Sequence, residues 1–196
     1  MRRAVVVLAL CAACAFGTPA FAQSEQNHWF LNAGIGPSFG TLGSTPVADA
    51  SVGYKVTDHV SLAGELGVLP HVPFDKAQSV APSVSPFVAS SDVYVNAHHM
   101  NANLFVQASP VARFTPYATA GFGAFTGLTV ASANVGDSRL IQYSHETNPA
   151  ANFGVGTTYR LTKWLGVHAG YRHFIVNAGE TQHVSRFATG VSLFVK

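Results

Sequence analysis

Apolar and polar residues alternate one by one through most of this chain, and that period of two is the feature that most constrains its fold. In NFGVGTTYR (152–160), Phe153 and Val155 would point to one side of a strand and Asn152 and Gly154 to the other, because successive strand side chains face opposite ways. No stretch of comparable length keeps the 3.6-residue period of a helix. The alternation predicts eight strands, near residues 29–39, 47–56, 60–69, 92–107, 114–126, 150–160, 164–175 and 184–195.

The links between the predicted strands alternate in length. TDH, SPVAR and LTK are short, whereas residues 70–91 and 127–149 form long links. In outer-membrane barrels the short turns gather at the periplasmic end and the long loops at the outer end. The sequence therefore predicts an all-β fold, an eight-stranded antiparallel up-and-down transmembrane β-barrel with both termini in the periplasm.

The N-terminus has the features of a secretory signal peptide. Two arginines precede an apolar run from residue 4 to residue 16, and Ala20 and Ala22 form an A-x-A cleavage site. We predict a signal peptide over residues 1–22 and one barrel domain over residues 23–196. Both cysteines lie in the predicted signal peptide, so the exported chain would use no disulfide.

The net charge of the chain argues against nucleic acid as a partner. Two of the eleven Lys and Arg residues lie in the predicted signal peptide, which leaves nine basic residues against nine acidic ones. A net charge near zero offers no basic face to nucleic acid, so no such partner is predicted. A soluble sandwich or lipocalin-like barrel would alternate similarly, but a chain with only 10% charged residues has few charges to keep its surface soluble.

Two segments carry a family resemblance. RFTPYATAGFGAF (113–125) and NFGVGTTYRLTKWLGVHAGYRHF (152–174) resemble the small outer-membrane β-barrel proteins of the OmpA/OmpX-like superfamily. The resemblance implies a monomer in the outer membrane of a Gram-negative-type bacterium, surrounded by lipid and lipopolysaccharide and inserted by the barrel-assembly machinery. Such families commonly end on an aromatic residue, whereas this chain ends Phe194-Val195-Lys196.

Charged residues on the predicted inward rows form the main candidate site. A charge inside a narrow barrel is costly unless it is paired or hydrated, so we predict a lumenal polar network with Glu65 and Arg172 as its central pair. Aromatic residues at strand ends would form a girdle at the membrane interface. The predicted network contains Glu65, Arg172, Asp49, Lys55, Arg160, His168 and Arg186, and the girdle contains Trp29, Tyr54 and Tyr159.

The stretch GYRHFIVNAGE (170–180) raises the question of catalysis. It distantly resembles the His-x-Ser-Asn signature of outer-membrane lipid A deacylases of the PagL kind, but Phe174 stands at the His position and Val176 at the Ser position. Neither side chain supplies a nucleophile or a base, so no catalytic residue is predicted. On this interpretation His173 faces the outer rim.

Histidines raise the question of a metal site. The adjacent His98 and His99 would face opposite ways, which disfavours a metal site built from them alone. His71, His145 and His183 are assigned to outer loops, where metal capture remains an alternative. We therefore predict no metal site and no cofactor.

These expectations favour a non-enzymatic barrel with an envelope-structural role or a recognition role through its outer loops. Any extracellular ligand is not identified by the sequence. Two alternatives stay open: a narrow pore for ions or small solutes, and a lipid A-modifying outer-membrane enzyme.

Overall fold

The computed structural model describes residues 28–41, 43–73, 88–135 and 137–196. They form eight strands, β1 Trp29–Gly40, β2 Thr45–Lys55, β3 Val60–Pro73, β4 Val88–Gln107, β5 Phe114–Val135, β6 Ser138–Arg160, β7 Leu165–Ala178 and β8 Glu180–Val195. Each strand pairs antiparallel with the next, and β1 pairs with β8, so that the sheet closes into a barrel. The predicted fold class is confirmed.

The alternation of the sequence becomes the two faces of the barrel wall. On β1, Leu31 and Ile35 are exposed on the outside, whereas Phe30 is buried in the interior. On β6, Phe153 and Val155 are likewise exposed, and Asn152 is buried. The outer face is therefore an apolar band, and the core of the molecule is the barrel interior.

The two ends of the barrel differ. The short turns between β2 and β3, β4 and β5, and β6 and β7 lie at the end that also holds Trp29 and Val195, and we call it the terminal end. The opposite end is called the distal end. There a tight turn joins β7 to β8 at Gly179, whose φ of 77° is a conformation that glycine adopts without strain. Within the described residues, no helix has the length and apolar character required to cross a membrane.

The prediction of a long loop over residues 127–149 is wrong. β5 and β6 stay paired from Phe114↔Tyr159 to Val135↔Ser138, so these residues form a projecting hairpin. β4 pairs with the same part of β5, from Val88↔Val135 onward. The predicted loop over residues 70–91 is shorter than expected, because its edges belong to β3 and β4. Residues 74–87 and the predicted signal peptide lie outside the described residues.

Glycine at position 190 is required by a close approach between strands. A Cβ atom there would overlap the carbonyl oxygen of Ala33 on β1, whereas a Cβ at Gly64 would meet no atom within 4 Å. We expect Gly190→Ala to lower the free energy of unfolding by about 1–3 kcal/mol, since the ladder between β1 and β8 must shift. Urea unfolding of the refolded protein in lipid vesicles measures this change. Gly64→Ala is the matched control, and an equal loss in both variants would contradict the assignment.

Candidate functional site in the barrel interior

A charged cluster lies in the middle of the barrel interior. The Glu65 carboxylate accepts hydrogen bonds from Arg172 through Oε2 and from Arg186 through Oε1, the latter at 2.8 Å. Arg186 also lies 3.5 Å from the Asp49 carboxylate. The four side chains are at most 9% exposed. Two acids and two bases balance one another, which offsets the cost of placing each charge away from water.

The strands bring these groups together from opposite walls. Arg172 on β7 and Arg186 on β8 are direct register partners, so two like charges lie side by side. Glu65 on β3 reaches them across the interior, and Asp49 lies on the adjacent β2. A buried pair of arginines needs this carboxylate, because like charges at close range repel. The cluster thereby connects two halves of the barrel that share no ladder.

Polar side chains of β4 extend the cluster. His99, 2% exposed, accepts a hydrogen bond from Arg186 at Nε2 over 3.0 Å, and Asn103 lies 3.5 Å from Glu65. The predicted network did not include His99, because the adjacent His98 and His99 were considered only as metal ligands. His98 is exposed on the outer face. The signal for His99 was its place on the same inward row as Asn101 and Asn103.

Apolar layers lie on both sides of the charged cluster. Toward the terminal end, Phe30, Ala63 and Phe105 form a buried cluster with Tyr117 and Phe194 packed against it. Toward the distal end a larger buried layer contains Val47, Leu69, Ala97, Phe125, Ala150, Phe174, Val176 and Val184.

A small cavity remains beside the charges. It is lined in part by Asp49, Glu65 and Arg172 and measures about 30 Å³, which is room for about one water molecule. The charged cluster and its cavity therefore lie in the middle of the interior, between the two apolar layers.

Three residues of the predicted network lie away from the central cluster or at its edge. Lys55 donates to Asp58 over 3.0 Å at the β2–β3 turn, and this hydrogen bond holds the pKa of Asp58 below its usual value. The Arg160 guanidinium lies 4.3 Å from the centre of the Phe194 ring, at the terminal end.

His168 is the third of these residues. It lines the same small cavity as Glu65, and its Nδ1 lies 3.0 Å from the Ser192 hydroxyl. It therefore lies at the edge of the cluster without an ion pair to it.

The residues predicted as a girdle lie at the terminal end. Trp29 and Tyr54 are exposed on the outer face and pack edge to face with their ring centres 5.0 Å apart. Tyr159 packs against the exposed Phe114 at 4.7 Å. A second group of outward rings lies toward the distal end, where Phe39 and Phe187 are 5.9 Å apart.

Comparisons with known proteins agree with this architecture. The model of the outer membrane protein beta-barrel domain family matches residues 8–193. No match was found among curated proteins.

Solved structures with the same fold have low sequence identity. The attachment invasion locus protein Ail of Yersinia pestis is 12% identical, with a TM-score of 0.58 over 87% of this chain and 99% of Ail. A major outer membrane protein of Thermus thermophilus is 9% identical, with a TM-score of 0.57 over 85% and 99% of the two chains. The N-terminal barrel of Pseudomonas aeruginosa OprF is 19% identical, with a TM-score of 0.50 over 86% and 98%.

Removing the central carboxylate should test the role of the charged cluster. Glu65→Gln leaves Arg172 and Arg186 adjacent, buried and short of one negative charge, so we expect the free energy of unfolding to fall by about 3–5 kcal/mol. Urea unfolding in vesicles checks this value. Asp58→Asn, at the exposed turn, is the matched carboxylate control and should leave the unfolding midpoint unchanged. A Glu65→Gln barrel as stable as the parent would exclude a stabilising role for the pairing.

Proposed function

The chain belongs to the outer membrane protein beta-barrel domain family, and from this we propose that it is an envelope-structural barrel that recognises extracellular molecules at its distal end. The single observation that carries the recognition role is the projecting β5–β6 hairpin. The role itself requires no chemical reaction.

The height of the outer apolar band matches the thickness of the membrane. Trp29 and Phe39 stand ten residues apart on β1, or about 33 Å along the strand. At a tilt of about 40° this is a height of about 25 Å, which equals the apolar band of an outer-membrane barrel. Because such barrels have short turns in the periplasm and longer extensions outside, the terminal end would face the periplasm, and the distal end with its projecting hairpin the exterior.

The same orientation places the predicted partners. Lipid and lipopolysaccharide would contact the apolar outer face, and the barrel-assembly machinery would insert the chain. A barrel closed within one chain needs no second copy to pair its edges, which favours a monomer.

The β5–β6 hairpin projects far beyond that band. The burial alternation of β6 begins at Ala150, whereas residues 143–147 are exposed on both faces of the strand. The twelve residues from Ser138 to Pro149 extend about 40 Å along the strand. This part of the wall is therefore surrounded by solvent instead of by lipid and lumen.

The chemistry of the hairpin suits recognition. Tyr143 and Ile141 lie on one face of β6 and are 65% and 48% exposed, and Arg139 is exposed near the tip. Tyrosine offers a large contact area at a small cost in conformational entropy. Paired strands hold these side chains in place before binding, which lowers the entropy that binding must offset.

The filled interior disfavours the pore alternative. An ion would have to pass the distal apolar layer around Phe174, the Glu65 cluster, and the terminal layer around Phe30 and Phe105. An eight-stranded barrel has an interior that side chains nearly fill. The polar cluster is more consistent with a structural plug than with a path.

Binding by bacteria that display the barrel tests the recognition role. The probe is a panel of immobilised extracellular-matrix proteins and sulfated and neutral glycans. We expect binding to at least one member, with a loss of about tenfold or more in the double variant Ile141→Ser/Tyr143→Ser, because truncating a contact residue of this kind costs about 1–2 kcal/mol each.

Ser144→Ala, on the opposite face of the same strand, is the matched control and should bind as the parent does. No binding above that of bacteria without the barrel, or binding unchanged in the double variant, would refute the recognition role.

Planar-bilayer recording separates the proposed function from the pore. We expect the refolded barrel to give no stable conductance steps, because apolar layers lie above and below the charges. Reproducible discrete steps that change in Glu65→Gln would instead favour a water-filled lumen. Insertion is verified by protease protection of the reconstituted protein.

A further inference from the structure

A chain of polar side chains lies on the outer wall of the barrel near the distal end. The Ser185 hydroxyl lies 2.9 Å from His173 Nδ1 and 3.0 Å from the Tyr171 hydroxyl. His173 Nε2 lies 3.1 Å from His183 Nδ1. We call these four residues the wall relay. It lies on the opposite face of the wall from Arg172 and Arg186, which are the sequence neighbours of His173 and Ser185.

The donors and acceptors of the relay can be assigned in one consistent direction. A neutral imidazole has one N–H donor and one acceptor nitrogen. If His173 donates through Nε2 to His183, its Nδ1 accepts the proton of the Ser185 hydroxyl. Tyr171 then donates to Ser185, and His183 keeps a donor at Nε2. In this arrangement a hydroxyl is hydrogen-bonded to a base, and a third group orients that base.

The relay lies at the level of the outer boundary of the hydrocarbon. Ser185 is the register partner of Phe39, whose height above Trp29 matches the apolar band. Outward rings surround the relay, since Phe153 packs on His173 at 5.3 Å and Phe187 on Tyr171 at 5.0 Å. His183 lies two residues farther out than Ser185 and is exposed. Acyl esters of outer-leaflet lipids are found at this depth, between headgroup and hydrocarbon.

Ser185 is recessed among larger neighbours. It is 9% exposed, whereas Phe39, its register partner on β1, and Phe187, two residues along β8, are 39% and 51% exposed. The hydroxyl of the small Ser185 side chain therefore lies below the tips of these rings. It stands on a face that the acyl chains of the surrounding lipid would contact and that a soluble substrate would reach less readily.

We propose that the wall relay is an acyl-ester hydrolysis site that acts on outer-leaflet lipids, with Ser185 as nucleophile and His173 as general base. The Ser185 oxygen attacks the ester carbonyl as its proton passes to His173. The alcohol leaves with that proton, and an acyl-serine remains. Water, activated by His173, then releases the fatty acid and restores the serine.

The other two residues have distinct parts in this scheme. Tyr171, whose hydroxyl adjoins Ser185, donates a hydrogen bond to the oxyanion that forms on the ester. His183 is a positioning residue that fixes the tautomer and ring orientation of His173. The proposed site differs from the motif alignment at Phe174 and Val176, because its base and nucleophile are cross-strand neighbours.

Covalent labelling tests the nucleophile. The folded barrel in vesicles is treated with a long-chain fluorophosphonate, which reacts with activated serines, and the adduct is located by peptide mass. We expect the adduct on Ser185, with labelling roughly a hundredfold lower in His173→Phe, since general-base catalysis contributes about 10²–10⁴-fold. Ser144→Ala, at an exposed serine of the β5–β6 hairpin, is the control and should label normally. Equal labelling of the parent and Ser185→Ala overturns the proposal.

Fatty-acid release identifies the substrate and the role of His183. The same vesicles contain either lipopolysaccharide or glycerophospholipid, and release from one but not the other assigns the ester. We expect His183→Leu to reduce release about tenfold or more, and His183→Asn to recover part of it, because an amide can accept from His173 Nε2. Folding of each variant is confirmed by its urea midpoint. No release above Ser185→Ala from either lipid overturns the proposal.

Discussion

The whole structure depends on the ladder between β1 and β8. In hydrocarbon no water is present to pair a backbone amide or carbonyl, so a spanning sheet must leave no free edge. Trp29↔Val195 to Ile35↔Thr189 form a continuous set of partners that closes the sheet. Closure then fixes everything else, because eight strands determine a narrow interior and an outer face that only apolar side chains can occupy.

The interior shows how a small barrel manages polar groups. Glu65 neutralises Arg172 and Arg186 from the opposite wall, and His99 accepts a further hydrogen bond from Arg186. The apolar layers above and below exclude bulk water from these contacts, which strengthens each of them and also makes the loss of one partner more costly. Because no cysteine lies among residues 28–196, no disulfide can join these strands, and the cluster supplies a contact that spans the barrel. Because side chains fill the interior, other molecules can bind only at the outer surfaces of the barrel.

The sequence predicted what depends on the two faces of a strand and missed what depends on register. Alternation located all eight strands and the inward row of Glu65 and Arg172, because lipid on one side and a packed interior on the other impose opposite chemistries. On β6 this difference between the two faces is present from Ala150 onward and absent from Pro149 toward the tip of the hairpin. There both faces of β6 meet solvent, so the alternation fades and residues 127–149 resembled a loop. The partners of His173 and Glu65 lie 10 or more residues away, and no local pattern encodes them.

The lumenal cluster and the wall relay share one register. Arg172↔Arg186 and His173↔Ser185 are consecutive pairs of the β7–β8 ladder, one directed inward and the next outward. Because side chains alternate, a shift of the strand register by one residue would direct an arginine side chain outward into the hydrocarbon. This costs about 2–4 kcal/mol at the midplane. Glu65 therefore does more than neutralise charge, since it holds the two arginines on the inside. The same register also aligns His173 with Ser185 on the outside. The geometry of the wall relay therefore depends on the ion pairs that Glu65 makes in the lumen.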